Sequence, residues 1–248
     1  MKVSIKDILL GSLLLISCGQ KNTSEATASE IMETSSASVS NSNGGCLLSY
    51  QDKYDQLLPL ENIQKHFTTD WKSTKKTYIL NKNPKYRNHD TYTYSWPSER
   101  TRTMEIAGRK LTVPIDNRVG LTWVGDDLYK MSKKKSDLEN FQSFYRTPTK
   151  EELERAFEEA DKRVGEQKDV SKDQKNAAMG LAKGMAAQAK FEQVSGIGDA
   201  AAWKPNDNEL VVLVGGLTFQ VIADVSSDAN TNLELAKKLA LEVLKKCN

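Results

Sequence analysis

Three cysteines are the residues of this 248-residue chain whose positions most clearly indicate covalent chemistry. Cys18 directly follows a short apolar run, whereas Cys46 and Cys247 lie near the two ends of the remaining chain. In an oxidising compartment, two thiols at opposite ends of one domain predict a disulfide, with two unrelated free thiols as the alternative. A zinc site is disfavoured because neither cysteine has a CxxC partner or a nearby histidine.

Histidine chemistry has one candidate position. His89 and Asp90, beside Tyr92, could orient a catalytic imidazole, but no serine or cysteine is marked as its nucleophilic partner. The sequence also lacks HExxH, GxSxG and P-loop patterns, and its carboxylates show no paired spacing. We therefore expect no catalytic residue, no metal and no cofactor. A hydrolase with its site near His89 is the alternative.

An aromatic stripe offers a candidate binding surface. Strict alternation over residues 91–96 places Tyr92, Tyr94 and Trp96 on one face of a predicted strand. Such a face could stack on a sugar or base, although we expect it to form half of a hydrophobic core. Arg100 and Arg102 follow and could bind an acidic ligand, with a solvated strand face as the expected reading. These five side chains are the candidate ligand surface.

The N-terminal stretch indicates export. Residues 8–16 form an apolar run after Lys2 and Lys6, and the run is too short to span a bilayer. Leu15 and Ser17, placed three and one residues before Cys18, resemble the lipobox of bacterial lipoproteins. That resemblance implies diacylglyceryl thioether formation at Cys18 and cleavage before it. An ordinary secretory signal with a chance cysteine is the alternative.

The same resemblance places the protein in the cell envelope, held to a membrane by its N-terminal lipid. Gly19, rather than aspartate, follows Cys18, which favours the outer membrane if the enterobacterial sorting rule holds. The formal net charge is +2, and removal of residues 1–17 takes away two lysines and one aspartate. A near-neutral mature chain argues against a nucleic-acid partner.

Composition divides the chain into three parts. Residues 1–17 are the predicted signal peptide, and residues 18–45 are the lipidated cysteine with a linker. The linker is dominated by small polar residues, so we expect it to be disordered. Residues 46–248 are long enough for a single α+β domain, in which residues 136–189 form a helical segment.

Periodicity predicts an antiparallel sheet packed against several amphipathic helices. Strands are expected at residues 75–80, 91–96, 101–107, 110–115, 118–124, 209–214 and 217–225. Gly215 and Gly216 form the turn of the last hairpin.

Capping boxes begin helices at Thr149 and Ser171, and Thr231 with Glu234 is expected to cap a last helix. The helix that follows Ser171 should bury a face that includes Leu181. Gly180 and Gly184 in the same helix are expected to pack closely against a neighbour.

The C-terminal order also has a resemblance. The motif G-x-G-D-A-A-x-W at residues 196–203, followed by a hairpin and a helix, is similar to the end of small uncharacterised bacterial lipoproteins, some with a PsbP-like fold. The resemblance brings no catalytic motif with it. The sequence therefore predicts a noncatalytic envelope lipoprotein, a binding or structural module for an envelope protein or a small ligand.

Overall fold

The computed structural model describes residues 44–106, 109–126, 130–166 and 171–247. Cys18, the predicted signal peptide and nearly all of the linker lie outside these residues. The described chain separates into two compact units. The sheet unit comprises residues 44–146 and 191–247, and the helical unit comprises residues 147–190. The predicted helical segment 136–189 is thus divided between the two units.

A seven-stranded antiparallel sheet forms the sheet unit, which confirms the α+β prediction. The strands in chain order are β1 (Lys75–Ile79), β2 (Thr91–Trp96), β3 (Thr101–Ile106), β4 (Arg109–Pro114), β5 (Asn117–Gly125), β6 (Glu192–Val194), β7 (Ala200–Lys204), β8 (Glu209–Val214) and β9 (Leu217–Asp224). The order across the sheet is β1-β2-β5-β9-β8-β7-β6. The hairpin predicted around Gly215 and Gly216 is present at its centre, with Val214 paired to Leu217.

Strands β3 and β4 pair only with each other, as a separate two-stranded hairpin. We call residues 101–114 the β3–β4 arm. The described side chains of the arm are exposed or half-buried, and Leu111 is among the exposed apolar residues. The described side chains of the arm therefore do not form part of the main core, although their sequence alternates as in a strand with one buried face.

Helices cover one face of the sheet. They are α1 (Gly44–Leu48), α2 (Tyr54–Leu57), α3 (Leu60–Gln64) and the long C-terminal α7 (Ala229–Leu244). On α7 the residues Ala236, Leu239, Ala240 and Val243 are fully buried at the predicted spacing. They pack with β8 and β9 side chains such as Phe219 and Val221 in one continuous core.

The opposite face of the sheet carries a smaller core. Helix α4 (Asp137–Phe144) begins with a capping box between Ser136 and Glu139. It brings Phe141 and Tyr145 against Val211 and Leu213 of β8. Because both faces of β8 and β9 are covered, nearly every side chain of these two strands is buried.

A disulfide joins Cys46 of α1 to Cys247, just beyond α7, with the two Cα atoms 5.6 Å apart. This confirms the predicted link between the ends of the folded region. Leu47 beside Cys46 is fully buried, so the covalent link holds α1 as part of the core.

The cap predicted for the last helix was wrong. Helix α7 begins at Ala229, and its cap is the Asp228 carboxylate, which accepts hydrogen bonds from the backbone N–H groups of Asn230 and Thr231. The Thr231 hydroxyl itself donates to Asp228. Aspartate accepts hydrogen bonds from the free N–H groups at a helix start as well as threonine does. Asp228 lies three residues nearer than Thr231 to the end of β9, so the helix begins earlier than predicted.

The helical unit consists of α5 (Lys150–Glu166) and α6 (Lys172–Gln188). Both predicted capping boxes are formed, between Thr149 and Glu152 and between Ser171 and Gln174. Each box satisfies two backbone N–H groups that would otherwise lack partners at the helix start.

Two expectations for α6 were wrong. Leu181 is 51% exposed, because the half-buried positions centre on Ala182 and Ala186, and Leu181 lies about 100° around the helix from Ala182. A Cβ atom added at Gly180 or Gly184 would meet no described neighbour within 4 Å. The glycine pair therefore does not mark a close helix contact.

Candidate functional site

The strands of the main sheet define two ends at which side chains meet. At one end, which we call the Arg100 end, β5 begins at Asn117 beside Trp96, and the next residue, Arg118, pairs with Asp224 of β9. At the other end, which we call the Gly44 end, β5 finishes at Gly125 opposite Thr218, next to the turn between β8 and β9. A nine-residue strand separates the ends by about 30 Å.

Two members of the predicted aromatic surface belong to the core. Tyr92 and Tyr94 are 1% and 7% exposed, and their hydroxyl oxygens lie 3.0 Å apart. Burial, reinforced by the hydrogen bond between the Tyr92 and Tyr94 hydroxyls, raises the pKa of Tyr92 far above its ordinary value. The stripe therefore packs as the core that the sequence analysis favoured over a stacking platform.

Trp96 lies at the rim of this core and is only half-buried. Its ring is 5.6 Å from that of Phe67 and 6.0 Å from that of Trp71, measured between centroids. These contacts leave Trp96 as the one aromatic member of the predicted surface that is partly accessible.

Arg100 sits at the centre of a polar network at the Arg100 end. Its guanidinium forms an ion pair with Asp224 and donates hydrogen bonds to Asn117 Oδ1 at 2.9 Å and to the Ser226 carbonyl at 3.1 Å. The Nε atom is buried and has no hydrogen-bond partner among the described residues. Arg100 therefore ties the base of the β3–β4 arm to the end of β9.

Two asparagines extend this network. Asn208 adopts a left-handed backbone conformation, with φ of 51°, and donates to Asp224 Oδ1 at 3.0 Å. Asn232 of α7 is 1% exposed and donates to Asn208 Oδ1 and to the Ser226 carbonyl. The side-chain oxygen Oδ1 of Asn232 accepts hydrogen bonds from the backbone N–H groups of Val225 and Ser226. A fully bonded buried amide of this kind fixes the loop between β9 and α7.

A cavity of about 390 Å³ opens beside the network. Its lining residues combine hydroxyl, amide and apolar groups: Arg100, Thr101, Ile115, Pro205, Asn208, Ser226, Ser227, Ala229 and Asn232. The volume lies at the lower end of the range for small-molecule sites. Because Asp224 balances the charge of Arg100, the wall suits a polar ligand without strong net charge. Among the described residues that line the cavity there is neither histidine nor cysteine.

Arg102 is not among the residues that line this cavity. It lies on the β3–β4 arm, where its side chain is exposed, and its guanidinium is 3.4 Å from the carbonyl oxygen of Asn206. The two arginines therefore differ in their surroundings. Arg100 is held by acceptors within the fold, whereas Arg102 faces solvent.

His89 and Asp90 do not form a pair. The His89 side chain is exposed, whereas Asp90 is 2% exposed and its Oδ1 accepts hydrogen bonds from the backbone and side-chain nitrogens of Asn81 at 2.7 and 2.8 Å. Within the described part of the chain, no cluster of three histidine, cysteine, aspartate or glutamate side chains could hold a metal ion.

The other histidine packs against α7. His66 Nε2 lies 3.2 Å from Glu242 Oε1, and the same carboxylate oxygen accepts a 2.7 Å hydrogen bond from Lys245. The Lys245 bond, with a smaller effect from His66, lowers the pKa of the largely buried Glu242 despite the opposing effect of burial. His66 also borders a second cavity of similar size, beside Phe67 and the start of α7.

Sequence reasoning missed Asp224, Asn208 and Asn232. The only local signal was the run of Pro205, Asn206, Asp207 and Asn208, whose residue types are typical of a turn. Asp224 and Ser226, which bond to Arg100, are each more than a hundred residues away from it in the sequence. Local periodicity therefore could not predict that they meet.

Comparison of the chain with protein-family models, curated proteins and solved structures finds no match. The resemblance of the C-terminal module to small bacterial lipoproteins therefore stays a prediction, although strand, hairpin and helix follow in the expected order. None of the helices in the described ranges is long and apolar enough to cross a membrane.

Proposed function

We propose that this protein is a noncatalytic cell-envelope lipoprotein that presents a binding module on a lipid tether. In this proposal, Cys18 carries the lipid after removal of residues 1–17, and the membrane is the bacterial outer membrane. The sheet unit binds a small polar ligand, or a polar group of an envelope protein, in the cavity beside Arg100.

The disulfide between Cys46 and Cys247 is the observation that carries the proposal. Disulfides persist in exported proteins and are rare in the reducing cytosol. The bond agrees with the predicted export signal, and Cys18 is the one cysteine that does not take part in it. The lipobox pattern supplies that role independently.

Two features support a binding role. The cavity beside Arg100 is lined by both polar and apolar groups, and the hydrogen bond between Asn208 and Asn232 holds part of its wall in place before any ligand binds. Among the described residues that line it there is no nucleophile with a nearby base, the arrangement that covalent catalysis requires.

Metabolic labelling with a fatty acid, followed by membrane fractionation, tests the anchor. The wild-type protein should incorporate label and sediment with membranes, and Cys18→Ser should incorporate no label. The double variant Cys46→Ser/Cys247→Ser is the matched control and should still be labelled. Label that persists in Cys18→Ser would refute the assignment of the lipid site.

Native mass spectrometry of protein purified from detergent-solubilised envelope tests the cavity. Ser227→Trp places a large side chain at the exposed mouth and should abolish any co-purifying ligand, whereas Lys72→Trp, on an exposed surface outside the cavity, should not. Ligand retained by Ser227→Trp would exclude this cavity. Hydrolysis of an ester substrate that is lost in His89→Ala would support the hydrolase alternative instead.

A further inference from the structure

The Gly44 end of the sheet carries a basic surface that the cavity does not use. Between β5 and α4 the chain runs Lys130-Met131-Ser132-Lys133-Lys134-Lys135, which we call the lysine loop, and all four lysines are exposed. Lys130 pairs with Asp126 at 3.3 Å and Lys135 donates to the Ser143 hydroxyl at 3.0 Å. Lys133 and Lys134 have no acidic partner among the described residues.

Exposed apolar side chains accompany these lysines. Met131 lies within the loop and is 37% exposed, and Leu138 of α4 follows it at 41%. Ile79, at the end of β1 beside Thr91, is 50% exposed at the same end of the sheet. Lysines interleaved with exposed apolar residues are typical of surfaces that rest on anionic lipid headgroups.

The chain enters the sheet unit beside the lysine loop. Gly44 packs so closely on the turn between β8 and β9 that a Cβ atom there would lie 2.5 Å from the Gly215 carbonyl oxygen. On the other side of the same turn, a Cβ atom on Gly216 would lie 2.6 Å from Asp137 Oδ2. Asp137 is two residues beyond Lys135, so Gly44 and the end of the lysine loop lie at the same turn.

Exposed acidic groups also lie at this end, and the Glu139 carboxylate accepts hydrogen bonds from the backbone N–H and the hydroxyl of Ser136. Asp126 is paired with Lys130, and Asp52 lies 3.7 Å from Arg87. The Asp199 carboxylate accepts a hydrogen bond from the Gly215 backbone, and Asp137 lies in the first turn of α4, where a negative charge stabilises the helix.

We infer that the Gly44 end docks directly on an anionic lipid bilayer, with the lysine loop at the headgroups and Met131 and Leu138 in the interface. This inference rests on the proposed function for the presence of a membrane. A linker of about 26 residues has a root-mean-square reach of about 25 to 30 Å, so the anchored domain samples the surface at a high effective concentration. Each lysine near an anionic surface increases binding about fivefold.

Docking in this way fixes the orientation of the domain. The Arg100 end lies about 30 Å from the Gly44 end along β5, so the cavity and the β3–β4 arm would face away from the bilayer. The lipid at Cys18 would hold the chain at the membrane, and the lysine loop would set which end of the domain meets the bilayer.

Vesicle co-sedimentation tests the docking without the anchor. The chain from residue 19 onward retains every residue that the structure describes and lacks both the signal and Cys18. It should bind phosphatidylcholine vesicles that contain phosphatidylglycerol, and not vesicles of phosphatidylcholine alone. Lys133→Gln/Lys134→Gln should lower the partition coefficient on the order of 20-fold, and Met131→Ser should lower it further.

The matched control is Lys72→Gln/Lys75→Gln, which removes the same charge from exposed lysines toward the Arg100 end. It should change binding by less than about twofold. Equal losses in the two double variants, or no binding of the parent chain to anionic vesicles, would overturn the inference. Circular dichroism and intact disulfide confirm that each variant is folded. Vesicle binding that persists while Cys18 proves unlipidated would refute the anchor and leave the docking surface standing.

Discussion

Replacing Cys46 and Cys247 together by serine removes the disulfide that joins the two ends of the sheet unit. The residues are 201 positions apart, and the chain-entropy model assigns a closed loop of that length about 5 kcal/mol of stabilisation. Residual structure in the unfolded chain reduces this figure, so we expect the free energy of unfolding to fall by about 2 to 5 kcal/mol.

Urea denaturation followed by tryptophan fluorescence measures this loss, because Trp203 is buried in the core that the disulfide closes. Wild-type protein treated with a reductant should unfold at the same urea concentration as the double variant. The Cys18→Ser protein, whose disulfide is intact, serves as the control and should match the untreated wild type. A loss below about 1 kcal/mol in the double variant would refute the claim that the link between the ends stabilises this fold.

Three further predictions concern the fold and its network. Arg100→Met should destabilise the protein by about 3 kcal/mol by leaving Asp224 buried without its partner, and Arg100→Met/Asp224→Leu should cost less, as thermal unfolding of both variants can show. Gly120→Ala should strongly lower the urea concentration at which the protein unfolds, because φ of Gly120 is 148° and the new Cβ atom would lie 2.1 Å from the Tyr92 carbonyl oxygen. Gly184→Ala, where a Cβ atom meets no described neighbour, should instead stabilise its helix by about 0.5 to 1 kcal/mol. The folded protein lowers the pKa of Glu242 below its ordinary value of 4.5, so the carboxylate stabilises the fold above that pH, and this stabilisation is lost as the pH falls through the lower folded pKa. Glu242→Gln should therefore be less stable than the wild type at neutral pH, and the difference should shrink in acid. Urea titrations at several pH values measure this difference.

Local patterns in the sequence predicted most of the elements. The capping boxes at Thr149 and Ser171 and the Gly215-Gly216 turn involve residues within a few positions of each other, so they could be recognised without knowledge of the fold. The disulfide was predictable for another reason, since only two cysteines remained once Cys18 had been assigned to the lipid.

Contacts between distant residues could not be predicted in this way. The β3–β4 arm alternates like a sheet strand, yet tertiary packing leaves it outside the main sheet. Leu181 was placed on a buried face because a single helix does not reveal which side its neighbour covers. The cavity beside Arg100 depends on Asp224 and Asn232, which reach it only through the pairing of β5 with β9 and the return of α7.

The proposal that Cys18 carries a lipid anchor is tested most directly by the intact mass and N-terminal sequence of the protein extracted from membranes. The mature chain should begin at Cys18 and carry the mass of a diacylglycerol thioether with its acyl chains, while Cys46 and Cys247 remain disulfide-bonded. A chain that retains residues 1–17, or one that begins elsewhere with an unmodified Cys18 thiol, would contradict the account.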